Sequence, residues 1–236
     1  MKEMKVVLIN GQNHKGSSYH IGKMLVEQFP KSEISEFFLP KDLEHFCMGC
    51  YTCIKNEEKC PFYTEKKRIM DELERADLLI FTTPTYCMRA SAPMKAFIDL
   101  SFTYWMSHKP RACMFSKKAV VISTAAGAGM KSATKDIQNT LFYWGVPYIK
   151  EYGIAVQAMS WEQVSDKKKG RIKHDIEKLA KKISNNRNIR VGFKTKFMFG
   201  VMRMMQNKDL GSSLEEKEYW KANGWLDKKR PWSQKH

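Results

Sequence analysis

Four cysteines crowd one short stretch of this 236-residue chain, where Cys47, Cys50, Cys53 and Cys60 follow the spacing C-x2-C-x2-C-x6-C. Thiolates this close can hold a [4Fe-4S] cluster. They can also bind zinc, although two C-x-x-C pairs would then share the middle cysteine, or stay unligated as redox-active thiols. Spacing leaves all three open. Three further segments have residue types suited to a phosphate and a flat ring. Residues 11–19 (GQNHKGSSY) combine glycines that permit a sharp turn with Gln12, His14, Ser17, Ser18 and Tyr19, and their serine amides open a helix, a ready cradle for a phosphate. Residues 83–92 (TPTYCMRASA) offer a stiff Pro84 followed by Thr85, Tyr86 and Cys87, a combination suited to a planar heterocycle with polar edges. In residues 124–130 (TAAGAGM) the small groups of Thr124, Ala125, Ala126, Gly127 and Ala128 let a ring approach the backbone. The first loop lacks both the Walker pattern and the G-x-G-x-x-G spacing, which argues against ATP hydrolysis and the usual dinucleotide half. Cys87 is expected to line the pocket and Cys113 to be buried. His20, His45, His108 and His174 show no metal or triad spacing, and no carboxylate pair stands out as acid and base.

The elements that must carry these segments alternate. Short β-branched and leucine-rich runs at 5–10, 34–39, 77–83, 118–124 and 148–156 read as strands. Apolar residues at helical spacing fill 19–29, 64–76, 92–105, 130–143 and 162–183, and Thr64 is expected to cap the second of these helices. Five strands separated by helices imply an α/β fold with parallel pairing and right-handed crossovers. In such sheets ligands bind at the carboxyl ends of the strands, where all three loops emerge.

Composition narrows the class. Hydrophobic residues make up 43% and charged residues 28%, with 13 Phe and 6 Trp, which excludes a disordered or fibrous chain. No apolar run reaches the ~18 residues of a membrane span and the first residues show no signal-peptide pattern, so a cytoplasmic protein is expected. The net charge of +16 is uneven, because residues 165–236 hold 20 Lys or Arg against 8 Asp or Glu. The division expected is a domain over 1–185 and a basic extension over 186–236. In that extension Phe193, Phe197, Val201 and Met204 or Met205 would share one helical face, expected to pack on the domain or a second subunit. Adsorption of that basic helix to a membrane is the sharper alternative, but membrane and nucleic acid are not expected partners, since the tail aromatics do not interleave as a base-stacking platform.

The segment Thr83-Pro84-Thr85-Tyr86 leading into Ala92-Pro93-Met94-Lys95-Ala96-Phe97-Ile98-Asp99 resembles the flavodoxin-like NAD(P)H-dependent FMN oxidoreductases, a group that includes the iron-sulfur flavoproteins. The resemblance covers roughly residues 4–185. In the first loop Gln12 and His14 stand where the family commonly has Ser and Arg, and Ser18 and Tyr19 where it has Asn and Thr. The cysteine spacing is similar to the compact motif of the iron-sulfur flavoproteins, and Tyr219-Trp220 with Gly224-Trp225 to an ending of some relatives. The resemblance implies a flavodoxin-like, doubly wound five-stranded parallel sheet in the order 2-1-3-4-5 with a C-terminal helical extension. It implies FMN held by the three loops, NAD(P)H as co-substrate, a small-molecule acceptor (quinone, nitro compound, flavin or metal ion) and a homodimer or higher homo-oligomer. The alternative is an electron carrier with a [4Fe-4S] cluster on Cys47, Cys50, Cys53 and Cys60 and a ferredoxin-like redox partner.

Overall fold

The structure, a computed structural model, describes residues 3–186, 188–208 and 210–233. Five parallel strands form the sheet: β1 (Lys5–Asn10), β2 (Glu33–Phe38), β3 (Leu78–Tyr86), β5 (Lys118–Ala125) and β6 (Tyr148–Ala155), in the order β2-β1-β3-β5-β6. The parallel order is the expected one. A sixth strand, the two-residue β4 (Arg89–Ala90), returns antiparallel along the end of β3. Between the strands run α1 (Ser17–Glu27), the short α2 (Thr52–Lys55), α3 (Tyr63–Arg75), α4 (Ala92–Leu100) and α5 (Met130–Trp144), and beyond the sheet α6 (Asp166–Asn185), α7 (Phe193–Asn207) and α8 (Leu214–Ala222).

The three central strands are buried on both faces, which explains their unbroken apolar sequence. Alternation still sorts their side chains. Val7, Ile9, Leu79, Phe81 and Val121 point to the layer of α3, α4 and α5, around Phe97 and Trp144. Their neighbours Val6, Leu8, Leu78, Ile80, Val120 and Ile122 point to the opposite layer, against Ile21 and Leu25 of α1 and Ile172 and Ile176 of α6.

A third apolar core lies at one end, where Phe199, Trp220 and Trp225 of the C-terminal segment close on Met106 and Phe115. Phe199 stacks on Trp220 with ring centres 4.8 Å apart, and the Trp220 Nε1–H donates to the His108 carbonyl at 2.7 Å. Arg111 gathers three regions here. Its guanidinium donates to Glu57 at 2.6 Å in the cysteine segment and to Glu74 of α3 at 3.3 Å, and it lies over the rings of Tyr104 and Tyr219 at 4.4 and 5.7 Å. Nearby, the Lys109 ammonium donates to the Ile54 carbonyl of α2 at 2.5 Å.

The structure corrects several boundaries. The third helix is capped at Phe62, not Thr64, and without a side-chain hydrogen bond. The helix expected over 92–105 stops at Leu100, because the Ser101 hydroxyl donates back to the Ile98 carbonyl at 2.8 Å and turns the chain into a 3-10 segment. Residues 84–86 belong to β3, with Pro84 in register with Thr124. Helix α7 does not turn the expected face to the domain. Its expected packing face points outward, with Phe193 82%, Phe197 61% and Met204 46% exposed, while Thr195, Phe199 and Gln206 turn inward. Apolar residues lie nearly all round this helix, so periodicity cannot select a side. The aromatic pocket around Phe199 selects it.

Glu216 sits at the base of the tail. Ser213 and Glu216 form a reciprocal capping box at the start of α8, and the Glu216 carboxylate meets the His108 imidazole at 2.5 Å. Burial pushes the Glu216 carboxyl up, but hydrogen bonds from His108 and the Ser213 amide outweigh it, and the net direction is down. A depressed carboxyl contributes stability above its unfolded-state value, and that contribution is lost as the pH falls through the folded-state value. Glu216→Gln is therefore expected to lose about 1–3 kcal/mol near neutral pH and to show a shallower decline in acid. Urea midpoints from neutral pH down to pH 3 test this, and parallel curves for the two proteins would refute it.

Candidate active site

The turn after β1 begins with a close approach. Gly11 donates its amide to the Thr82 carbonyl at 2.7 Å, and its own carbonyl accepts the Ser91 hydroxyl at 2.6 Å. The chain then passes Gln12, half-buried, and His14, exposed, to Gly16. Helix α1 makes its first intrahelical bond from the His20 amide to the Gly16 carbonyl at 3.1 Å, so the amides of Ser17, Ser18 and Tyr19 lie before any intrahelical acceptor. Gly16 supplies no side-chain cap. Orphan donors at the positive end of a helix dipole suit an anionic group. The Tyr19 ring turns aside to Phe38, 5.7 Å away, with the Lys15 ammonium 5.6 Å above it.

The second segment ends β3 and doubles back. Thr85 pairs with Ala90 and Tyr86 with Arg89, leaving Cys87 and Met88 as a two-residue hairpin turn with φ of 48° and 65°. Such type I′ turns favour Asn and Gly, because side-chain residues in the left-handed region cost about 1–2 kcal/mol each. Strain of this kind gathers at functional positions. The turn is held by the Arg89–Asp136 ion pair at 2.7 Å, which ties it to α5. Tyr86, 44% exposed, stands beside exposed Cys87 at this edge.

The third segment closes against both. The Thr124 hydroxyl lies 3.3 Å from that of Ser18, and the Thr85 hydroxyl 2.9 Å from that of Ser123. A Cβ on Gly129, whose φ is +96°, would stand 2.7 Å from Thr85 Cγ2, so the third turn lies directly on the second. Ala126, Gly127 and Ala128 form its exposed tip, and the Ala125 and Ala126 carbonyls accept the Val156 and Gln157 amides. The three turns thus meet at the carboxyl edge of the sheet. Ser18, Thr85 and Thr124 are joined across them, while Tyr19 faces away and the His14 ring lies beside Gly16.

Sequence reading missed the buried groups beneath this edge. Asn10 at the end of β1 donates to Glu36 at 3.0 Å and accepts from Thr82 at 2.9 Å, linking three strands. Ser91 receives the Thr83 hydroxyl at 3.2 Å and gives its amide to the same oxygen at 3.0 Å. A serine just before Ala92-Pro93 is a helix-start signal that points to this residue.

The four cysteines sit apart, in the segment between β2 and α3. Cys47, Cys50, Cys53 and Cys60 all line one small pocket with Phe62, Leu100 and Phe102. Hydrogen bonding from Thr52 lowers the Cys50 thiol, whereas burial pushes that of Cys53 up against the opposing charge of Lys66. The donor set is right for a soft metal or cluster. The arrangement is not: among the described residues no three Cys, His, Asp or Glu side chains stand together as a metal-holding group. Cys113 is half-buried, and burial raises its thiol.

Comparison with known proteins bears on this edge. Iron-sulfur flavoproteins of Archaeoglobus fulgidus match at 28% identity over 100 residues, covering 42% of this chain and 49% of the relative, and at 26% over 147 residues, covering 61% and 64%. The chain thus spans about half to two thirds of the length of these relatives. Among solved structures, an FMN-dependent NADH-azoreductase from Bacillus anthracis in complex with FMN superposes with a TM-score of 0.58 at 12% identity, covering 76% of this chain and 99% of that one. A flavone reductase does so at 0.57 and 12%, covering 80% and 66%. These likenesses show the shared flavodoxin-like fold. The sequence pattern of the NADPH-dependent FMN reductases matches residues 4–159, which contain all three turns, and the chain belongs to that family.

Proposed function

We propose that the protein is an NAD(P)H-dependent FMN oxidoreductase. The observation that carries this reading is the joining of three turns at one sheet edge, with uncapped α1 amides on one side and Pro84, Thr85 and Tyr86 on the other. When bound, FMN supplies the hydride acceptor between NAD(P)H and a small acceptor such as a quinone, nitro compound, flavin or metal ion. The chain contributes binding and position. The amides of Ser17, Ser18 and Tyr19 hold the phosphate, with Ser18 fixed by Thr124. Thr85, braced by Ser123, and the exposed Tyr86 seat one edge of the ring, and the short side chains of 125–128 leave room at another. Ser91 locks the first turn to the second, so that the phosphate and ring seats keep a constant separation.

An absorption spectrum of the anaerobically purified protein tests the proposal. A yellow chromophore bleached by NAD(P)H is expected, and a colourless folded protein that takes up no added FMN would sink it. The second reading is an electron carrier with a [4Fe-4S] cluster on the four cysteines, favoured by the one pocket they share and by the name of the curated relatives, and it requires the thiols to draw closer together than they stand here. Stoichiometric iron and sulfide in the same sample would carry that reading, and free thiols without iron are expected on the first.

A further inference from the structure

Helix α7 has two apolar sides, and the fold uses one. Thr195, Phe199 and Gln206 are buried against the body, so the helix is firmly seated. On the opposite side Phe193, Phe197, Val201 and Met204 recur at spacings of four, four and three residues, which places them on one stripe. Phe193 and Phe197 stack on one another with ring centres 6.3 Å apart, and both face solvent. Exposed Lys194 and Lys196 project on either flank of this stripe, Lys194 rotated about 100° onward from Phe193 and Lys196 about 100° back from Phe197. Beside it opens a groove of ≈ 760 Å³ whose walls include Phe142, Tyr143 and Ile149 together with Lys135, Lys150 and a single carboxylate, Glu151, which is engaged by Thr134 and Gln138.

A second copy of the chain is a poor occupant for such a face. Each copy carries +16, and the cations border the apolar residues that would have to meet. The same charges complement a negative surface. A helix with aromatic residues on its outer side and lysines along both margins matches elements that lie flat at the headgroup boundary of a bilayer. No helix among the described residues is long and apolar enough to cross one.

We propose that α7 docks the protein on the surface of an anionic membrane, with Phe193, Phe197 and Met204 entering the headgroup boundary and Lys194 and Lys196 meeting anionic lipid. This inference is independent of the flavin reading. Co-sedimentation of the full chain with phosphatidylcholine vesicles, with and without phosphatidylglycerol, tests it. Binding is expected only with phosphatidylglycerol and should weaken as salt is raised. Phe193→Ser with Phe197→Ser should cut the partition at least roughly tenfold, since each ring loses most of its buried apolar area. Lys194→Glu should cut it about fivefold or more. All of these positions are exposed, so unchanged thermal melting confirms that the variants are folded. Absence of binding, equal binding to both vesicle types, or full binding by the double Phe variant would overturn the proposal. So would a dimer in light scattering that the double Phe variant converts to monomer, because the stripe would then belong to a second copy.

Discussion

Trp220→Ala is expected to destabilise the protein by about 3–5 kcal/mol, the largest effect of any single substitution considered. The indole is fully buried, stacked on Phe199 at 4.8 Å and set edge-on to Trp225 at 5.6 Å. Truncation leaves a cavity at the centre of the third core and strips the His108 carbonyl of its donor. At about 2–4 °C per kcal/mol for a chain of this size, the melting point should fall by roughly 10 °C. Trp220→Phe keeps the ring contact but loses the N–H, and should cost about 1–2 kcal/mol. Equilibrium urea unfolding separates the two. A loss below about 1 kcal/mol for Trp220→Ala would mean that the C-terminal segment is an ornament on the domain and not part of its core.

Gly11→Ala should disable the nucleotide seat. An added Cβ would lie 2.8 Å from the Thr82 carbonyl oxygen, 2.9 Å from the Ser91 hydroxyl and 3.3 Å from Met94. The first neighbour is backbone of a central strand and the second is buried, so neither can yield and the turn must move. Overpacking of this kind costs about 1–3 kcal/mol. Displacement of the turn also carries the α1 amides away from the ring seat, and FMN affinity is expected to fall by about two orders of magnitude, as misplacements near 1 Å commonly produce. Gly170→Ala is the control, since a Cβ there meets nothing within 4 Å and the residue, in α6, belongs to none of the three turns. Flavin titration by fluorescence quenching provides the measurement. Equal affinity in both variants would refute the placement of the phosphate at the first turn.

The sheet was legible because β1, β3 and β5 carry unbroken apolar runs, a pattern that only strands covered on both faces produce in such short segments. The loops at its carboxyl edge were legible through local chemistry, Gly11, the serine pair and Pro84. Their joining was not. The Ser18–Thr124 and Thr85–Ser123 contacts depend on which strands lie side by side, and the linking role of Asn10 requires three strands at once. The hairpin at Cys87-Met88 was hidden because neither residue is a usual choice for a left-handed turn. The inward face of α7 was not legible for a different reason. Seen alone, a helix apolar on two sides offers two equivalent seams, and only the tryptophans further along the chain decide between them.

The guanidinium of Arg111 makes the C-terminal segment impossible to excise as a module. It serves as a common fastening for the cysteine segment, the third helix and Tyr219. A truncation after residue 185 would bare Met106 and Phe115 and, in the same stroke, loosen the thiol-bearing stretch of residues 47–60. Fragments cut at that seam should come out sticky and poorly ordered.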